Sequence, residues 1–479
     1  MGNAACCEKC PCNICQSQME NDFVDPEEAY KSMYDYVPRT GRDLGIKRGD
    51  ILEVIEEKEN WVYVRRKRPE SEANPQHPTH DCGYIPRCFL KPLCCLEAEP
   101  WYFDHISKRM EAKQCLLREE NGEGAFLVWR NVDEEHYYLS VRNGNVARHY
   151  RILESERTFY LVKRKKFKTV SELVTSYIMD TDGLCTKLET PCVMLEFPSP
   201  PTLSYEENWE IERHSLKKVK PLGSGDFGEV WEGVWNNMIE VAIKELRVVK
   251  SDILSEIAIM KNLKHDRLLK LYAICTKDEP FCIVTELMRN GSLSKFLKSH
   301  REQRDIEFSL MLDFAIQITE GMSYLESQHI IHRDLRADNI LLTEMKSCKI
   351  ADFGLAQYTF TGDQKVKMDG KVPVKWMAPE IFSGEEYTIK CDVWSFGILL
   401  TEIVTFGEEP YPDLDKISCI KAVLQGHHMS QPEGCPPSLY DIMLRCWRPN
   451  SLERPWFREL QAMLTALIQD TEETIPELE

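Results

Sequence analysis

A chain of 479 residues is too long for a single hydrophobic core and, at ~100 to 200 residues per domain, should hold about three or four of them. Its net charge of −18 argues against nucleic acid as the main partner, because counterion release rewards a basic face. No apolar run reaches the length of a signal-peptide core or a membrane span, so the 19 cysteines are expected to stay reduced in an intracellular protein.

Residues 1–26, with five cysteines in MGNAACCEKCPCNIC, lack core-building periodicity and read as a flexible leader. From 27 to 93, short β-type runs such as DILEVI and WVYVRR alternate with turn-formers, predicting a small all-β module. From 100 to 192, helical spacing in SKRMEAKQCLLREE gives way to strands AFLVW, YYLSV and RHYRIL and then to helical VSELVTSYI. That pattern predicts an α+β module around a central sheet. Residues 193–212 contain PSPP, a semi-rigid extended linker. Residues 213–469 begin with strands and continue mostly as helices, predicting one large bilobal α+β unit. Residues 470–479 form an acidic tail without tyrosine.

The large unit carries ordered chemistry. PLGSGDFGEV supplies GxGxxG at Gly223, Gly225 and Gly228, where absent side chains let a backbone approach phosphate. Strand-like VWEGVW and EVAIK follow, rather than the helix a dinucleotide site requires, so a phosphate-covering hairpin fits better than a dinucleotide fold; an ordinary Gly-rich turn is the bland alternative. VAIK places Lys244 on a strand, and SEIAIMKNLKH offers Glu256 on a following helix to hold that lysine on nucleotide phosphates. IIHRDLRADN supplies Asp334, to orient an acceptor hydroxyl's proton, and Asn339 for a metal ion. ADFG adds Asp352 as second metal ligand, and MAPE closes the segment at Ala378, Pro379 and Glu380.

With these five elements in order, residues 209–469 resemble the eukaryotic protein kinases. HRDLRADN is similar to the HRDLRAAN of Src-type tyrosine kinases, with Arg336 where serine/threonine kinases usually carry lysine. VPVKWMAPE looks like the tyrosine-kinase substrate platform, shaped by Pro373 and Trp376. SMYDY with Trp61 and GYIP resembles an SH3 domain, and WYF with AFLV resembles an SH2 domain. PCVMLEFPSP, LSYEENWEIER and LGSGDFGEVWEGVWNN are most similar to the Fyn-related kinase branch.

The resemblance implies a non-receptor tyrosine kinase that passes the γ-phosphoryl of ATP to protein tyrosines with Mg²⁺, or Mn²⁺ in its place. Asp334, Arg336, Lys244 and Glu256 would be catalytic, and Asn339 and Asp352 would hold the metal. Leu222, Gly223, Gly225, Phe227, Gly228, Val230, Ala242 and Leu341 would surround the nucleotide. Thr285 would control access behind the adenine, and Glu286 and Met288 would give hinge backbone bonds. Asp338, where Src-type kinases carry alanine, adds a charge near the metal and supports the other reading, a weakly active or inactive kinase-fold scaffold.

In the SH3 module, Tyr34, Tyr36, Trp61, Pro86 and Phe89 would form the aromatic groove for a proline-rich peptide, unless these rings merely fill a small core. Only Asp43 remains of the acidic loop that selects a basic ligand residue, and Arg42 sits beside it, which leaves the chain's own PSPP as a plausible occupant. In the SH2 module, the arginine of FLVR that forks onto phosphotyrosine is replaced by Trp129. Strand alternation points Arg130 away, and losing two charge-assisted bonds of ~1.5 to 3 kcal/mol each weakens binding by about two orders of magnitude. Lys108, His149 and Arg151 match secondary basic positions and would leave a weak anion site; a one-residue bulge would instead turn Arg130 inward.

The segment after DFG, LAQYTFTGDQKVKMDG, has no tyrosine where Src-type kinases carry their activating site, and Gln357 replaces the arginine that pairs with that phosphate. With the tail lacking a tyrosine too, no phosphorylated-tail clamp is expected. Gly2 resembles a myristoylation start, with Cys6 where the motif prefers Ser or Thr, and palmitate on Cys6 or Cys7 would be the second anchor at the cytoplasmic face of the plasma membrane. Zinc is the competing use of the CxxC pairs.

Overall fold

The computed structural model describes residues 29–36, 38, 41–58, 61–67, 81–93, 95–104, 106–131, 135–155, 157–193, 209–225, 228–236, 239–246, 250–277, 279–358 and 373–469. The leader with Gly2, Cys6 and Cys7, the PSPP linker, Phe227, the activation segment beyond Tyr358 and the acidic tail all lie outside these residues. The chain divides into two compact units at about Trp209.

The first unit opens with a five-stranded antiparallel sheet built from β1 (Ala29–Ser32), β2 (Ile51–Glu57), β3 (Trp61–Arg66), β4 (Cys82–Pro86) and β5 (Leu90–Pro92), ordered β4-β3-β2-β1-β5. Alternation along these strands buries Ala29, Leu52, Val62, Val64 and Ile85. The α+β module follows: α1 (Arg109–Leu116), β6 (Phe126–Asn131), β7 (His136–Asn143), β8 (Val146–Ser155), β9 (Thr158–Tyr160) and α2 (Val170–Met179). Its sheet runs β6-β7-β8-β9. Phe126, Val128, Leu139, Val141, Tyr150 and Ile152 form one sheet face, packed with Val170, Leu173 and Tyr177 of α2. The opposite face turns toward α1.

The second unit starts with β10 (Leu216–Gly225), β11 (Gly228–Trp235), β12 (Ile239–Leu246), α3 (Lys250–Asn262), β13 (Leu271–Cys275) and β14 (Phe281–Thr285), whose sheet is ordered β10-β11-β12-β14-β13. A helical lobe follows: α4 (Leu293–Ser299), α5 (Phe308–Ser327), β15 (Ile330–Ile331), β16 (Ile340–Leu342), β17 (Cys348–Ile350), β18 (Gln357–Tyr358), α6 (Pro379–Phe382), α7 (Ile389–Val404), α8 (Lys416–Leu424), α9 (Pro437–Cys446) and α10 (Phe457–Gln469). Helix α7, IKCDVWSFGILLTEIV, is buried on all sides from Ile389 to Ile403 and forms the axis of this lobe. No described cysteine forms a disulfide; Cys275 and Cys282 face each other across β13 and β14 deep in the sheet, while Cys88 and Cys185 are exposed.

Candidate active site

Strand register assembles the nucleotide side. On β12, Val241 and Ile243 point into the core, while Ala242 and Lys244 share the other, half-buried face. Val230 of β11 lies opposite Lys244, and Thr285 of β14 opposite Ala242, so all four meet on one face. Leu222, Val230, Ala242 and Leu341 are apolar yet only partly buried, a surface suited to a flat aromatic base. Gly228 holds φ +150°, and a Cβ there would run into the carbonyl oxygen of Glu245, so this hairpin position requires glycine. At the hinge, the N–H of Glu286 donates to Lys270 O (3.2 Å), so the backbone group Glu286 can offer a ligand is its carbonyl.

Lys244 Nζ sits 2.9 Å from Glu256 Oε1 and 3.0 Å from Asp352 Oδ1. Burial opposes the lysine's charge, but the two carboxylates outweigh it and hold Lys244 above its ordinary range. Burial likewise raises Glu256, with Lys244 only partly offsetting it, whereas for the half-buried Asp352 the Lys244 charge outweighs desolvation and draws it below the usual carboxylate range. Asp352 takes the left-handed conformation (φ 63°, ψ 76°), which seats Phe353 against His332 with ring centroids 5.5 Å apart.

The catalytic loop hangs from buried carboxylates of α7. Asp392 accepts the backbone N–H groups of His332 (2.7 Å) and Arg333 (2.9 Å). Glu402 accepts from Ala337 N (3.0 Å) and from the Trp376 indole (2.9 Å), tying the loop to the acceptor-side turn Val374–Trp376. Burial, only partly countered by these two donors, pushes Glu402 up to about 7. Asn339 Nδ2 donates to Asp334 O (2.8 Å) and Oδ2 (2.7 Å), and Arg336 Nε lies 3.0 Å from Asp334 Oδ1. That Oδ1 is buried and accepts no hydrogen bond, leaving an acceptor for an incoming O–H; burial raises Asp334 despite Arg336, His332 and Asn339. Because Asn339 donates through its nitrogen, its amide oxygen is turned the other way, and with Asp352 it offers the hard oxygen donors a divalent cation prefers.

The structure thus brings Lys244, Glu256 and Asp352 together, and Asp334, Arg336 and Asn339 together. Asp392, Glu402 and the ion pair of Glu286 with Lys349 (2.9 Å) were not anticipated. The first two had a visible signal: carboxylates inside a mostly apolar helix.

In the all-β module the expected groove residues cluster. Tyr34 meets Phe89 (5.3 Å between centroids), and Tyr36 meets Phe89 (5.7 Å) and Trp61 (6.2 Å). Pro86 pairs with Trp61 across β3 and β4. All five are buried, and the Trp61 indole N–H has no acceptor. Asp43 is already engaged, accepting the Tyr36 hydroxyl at 2.6 Å.

In the α+β module, β6 pairs β7 in unbroken register from Phe126–Val141 to Asn131–His136. This corrects the alternative in which a bulge turns Arg130 inward: Arg130 is exposed, on the face opposite Trp129, with its guanidinium over the Tyr137 ring (5.5 Å). Trp129 shares its face with Tyr138, Ser140, His149 and Arg151 and is fully buried there. It stacks on Tyr138 at 4.8 Å and donates from Nε1 to Ser140 Oγ (2.8 Å), which in turn hydrogen-bonds His149 Nδ1 (2.8 Å). His149 is also corrected as a basic group: burial, with Arg109 and Lys113 nearby, pushes it down to about 4, so it is neutral at physiological pH. Lys108 is partly buried at the start of α1, Arg151 is exposed, and Arg109, not anticipated, covers the Tyr138 ring at 5.6 Å.

A bilobal fold that closes a lysine, two carboxylates and a buried aspartate around a glycine hairpin defines a protein kinase. Residues 216–464 match the protein tyrosine and serine/threonine kinase family, residues 101–177 the SH2 domain and residues 31–70 the SH3 domain. Human tyrosine-protein kinase FRK is 41% identical over 443 residues, covering 90% of this chain and 87% of the relative. The chain belongs to the SH3- and SH2-containing non-receptor protein tyrosine kinases, enzymes that use ATP and a divalent metal ion.

Proposed function

We propose that the enzyme takes Mg·ATP under the Gly223–Gly228 hairpin and transfers the γ-phosphoryl in line to a tyrosine hydroxyl aligned on Asp334. The observation that carries this is the closed Lys244–Glu256–Asp352 constellation beside a buried Asp334 whose Oδ1 is ion-paired to Arg336 yet accepts no hydrogen bond. Mg²⁺, held by Asn339 and Asp352, would supply charge neutralisation on the phosphates. Lys244 orients the nucleotide, Asp334 Oδ1 receives the phenol's hydrogen bond, and Arg336 steadies the Asp334 carboxylate. Glu402 keeps Trp376 fixed against the loop, so the acceptor approaches over a rigid turn. Mg·ATP-dependent phosphorylation of tyrosine and serine peptides by the purified chain tests this. Lys244→Met should abolish tyrosine phosphorylation, and equal activity of the two proteins would refute the assignment, favouring the scaffold reading that Asp338 suggested.

The SH3 groove is assigned to a proline-rich segment, either PSPP of this chain or that of a partner, with Trp61 Nε1 as the donor to a ligand carbonyl. Phosphotyrosine is not proposed as the SH2 ligand, since Trp129 fills the place of the forked arginine. Attachment to the cytoplasmic face of the plasma membrane through myristate on Gly2 and palmitate on Cys6 or Cys7 rests on the sequence pattern alone, and Gly2→Ala should release the protein from membranes.

A further inference from the structure

We propose that the hairpin from Arg157 to Lys168 in the SH2 module docks the protein on an anionic phospholipid surface. This stretch, RTFYLVKRKKFK, carries six cations and no acid in a chain whose net charge is −18. The fold turns the run outward. Strand β9 ends its sheet, and the chain doubles back on it through reciprocal backbone bonds between Phe159 and Phe167 (2.8 and 2.9 Å). At the tip, Lys165 N donates to Val162 O (3.1 Å), which puts Lys163 and Arg164 at the corners of a tight turn.

The cations of this hairpin divide into two sets. Arg164 and Lys165 share Asp182, at 2.5 and 3.4 Å, and so brace the turn against the segment that follows α2. Lys165 also lies over the Phe167 and Tyr177 rings (5.9 and 5.1 Å). Arg157, Lys163, Lys166 and Lys168 are exposed and form no ion pair among the described residues. Lys166 lies over the partly buried Tyr160 ring (5.5 Å), so aromatic surface sits beside an ammonium group, a pairing suited to the boundary between phosphate headgroups and acyl chains. Glu172 turns back to accept Lys168 N (2.9 Å), while Glu154 and Asp180 are exposed on the flanking elements, so the positive excess belongs to the hairpin itself. Phe159 and Phe167 pack on the α2 side of the sheet, opposite the face of Trp129. The lysines are spread along a turn, as point charges that hold a layer of headgroups, without the planar fork that selects a single phosphate.

The proposal is independent of acylation and of kinase activity, and is tested with full-length Gly2→Ala protein purified without acyl groups. Phosphatidylcholine vesicles containing about 30% phosphatidylserine should bind it at least about tenfold better than pure phosphatidylcholine vesicles in sedimentation at about 0.1 M NaCl, and the difference should vanish at about 0.5 M. Each of Lys163→Gln, Lys166→Gln and Lys168→Gln should lower the partition about three- to fivefold. The triple Gln variant should lose the preference for phosphatidylserine, and the triple Arg variant should keep it. Because the three side chains are exposed, all variants should unfold at the parent's midpoint. Equal partition onto both vesicles, or a triple Gln variant that binds like its parent, overturns the proposal. So does a triple Gln variant that loses only the binding of a phosphotyrosine peptide, since the run would then serve peptide flanks.

Discussion

Trp129 shows how much one side chain can decide. Buried completely, stacked on Tyr138 and bonded to Ser140, it occupies the face where an SH2 domain presents its arginine. Trp129→Arg should therefore raise phosphotyrosine-peptide affinity at least tenfold by calorimetry, because the new guanidinium emerges on the face shared with Arg151. Trp129→Ala should leave a cavity and lower the stability of this module by about 3–5 kcal/mol, read by chemical denaturation. Strand alternation alone was enough to place Trp129 and Arg130 on opposite faces. What it did not reveal was the electrostatic state of His149, because its burial and its nearness to Arg109 and Lys113 arise only when α1 packs on the sheet.

Helix α7 carries the corresponding lesson for elements. Its apolar pattern predicts burial, and its motif neighbours are legible from the catalytic loop, but nothing in the sequence assigns Asp392 and Glu402 to their backbone partners 60 and 65 residues away. Such long-range bonds depend on the packing angle of α7 against the loop. Glu402 ionises at about pH 4.5 in the unfolded chain but near 7 in the fold, so the folded state holds its proton longer. Its contribution to stability is full below pH 4.5 and is lost as pH rises toward 7, by about 3 kcal/mol at most. Glu402→Gln should remove that slope from the pH dependence of thermal unfolding of the kinase unit. By contrast, the Lys244–Glu256 pair was legible because both residues sit in motifs whose spacing is set by local strand and helix geometry. The buried Arg454–Glu380 pair (2.6 Å) locks α6 to the segment before α10; Glu380→Ala strands the arginine and should cost about 3–5 kcal/mol, measured by denaturant titration.

At the scale of the whole molecule, the order of modules was readable from composition shifts and turn-rich boundaries, since each module carries its own periodicity. With the SH2 pocket filled, a large excess of phosphotyrosine peptide should leave the rate of the full-length kinase unchanged, and a marked change in turnover would contradict this. The burial of the cysteines reaches further. Cys275, Cys282, Cys348, Cys391, Cys419, Cys435 and Cys446 are all enclosed in the kinase unit, and burial pushes each thiol above its ordinary pKa. Among the described residues, that unit therefore shows electrophiles no exposed thiol, while Cys88 and Cys185 stand open in the other. Alkylation followed by peptide mass mapping would then act as a clock: early labels report the folded surface, and each later label in the kinase unit dates the opening of the particular strand or helix that shelters it.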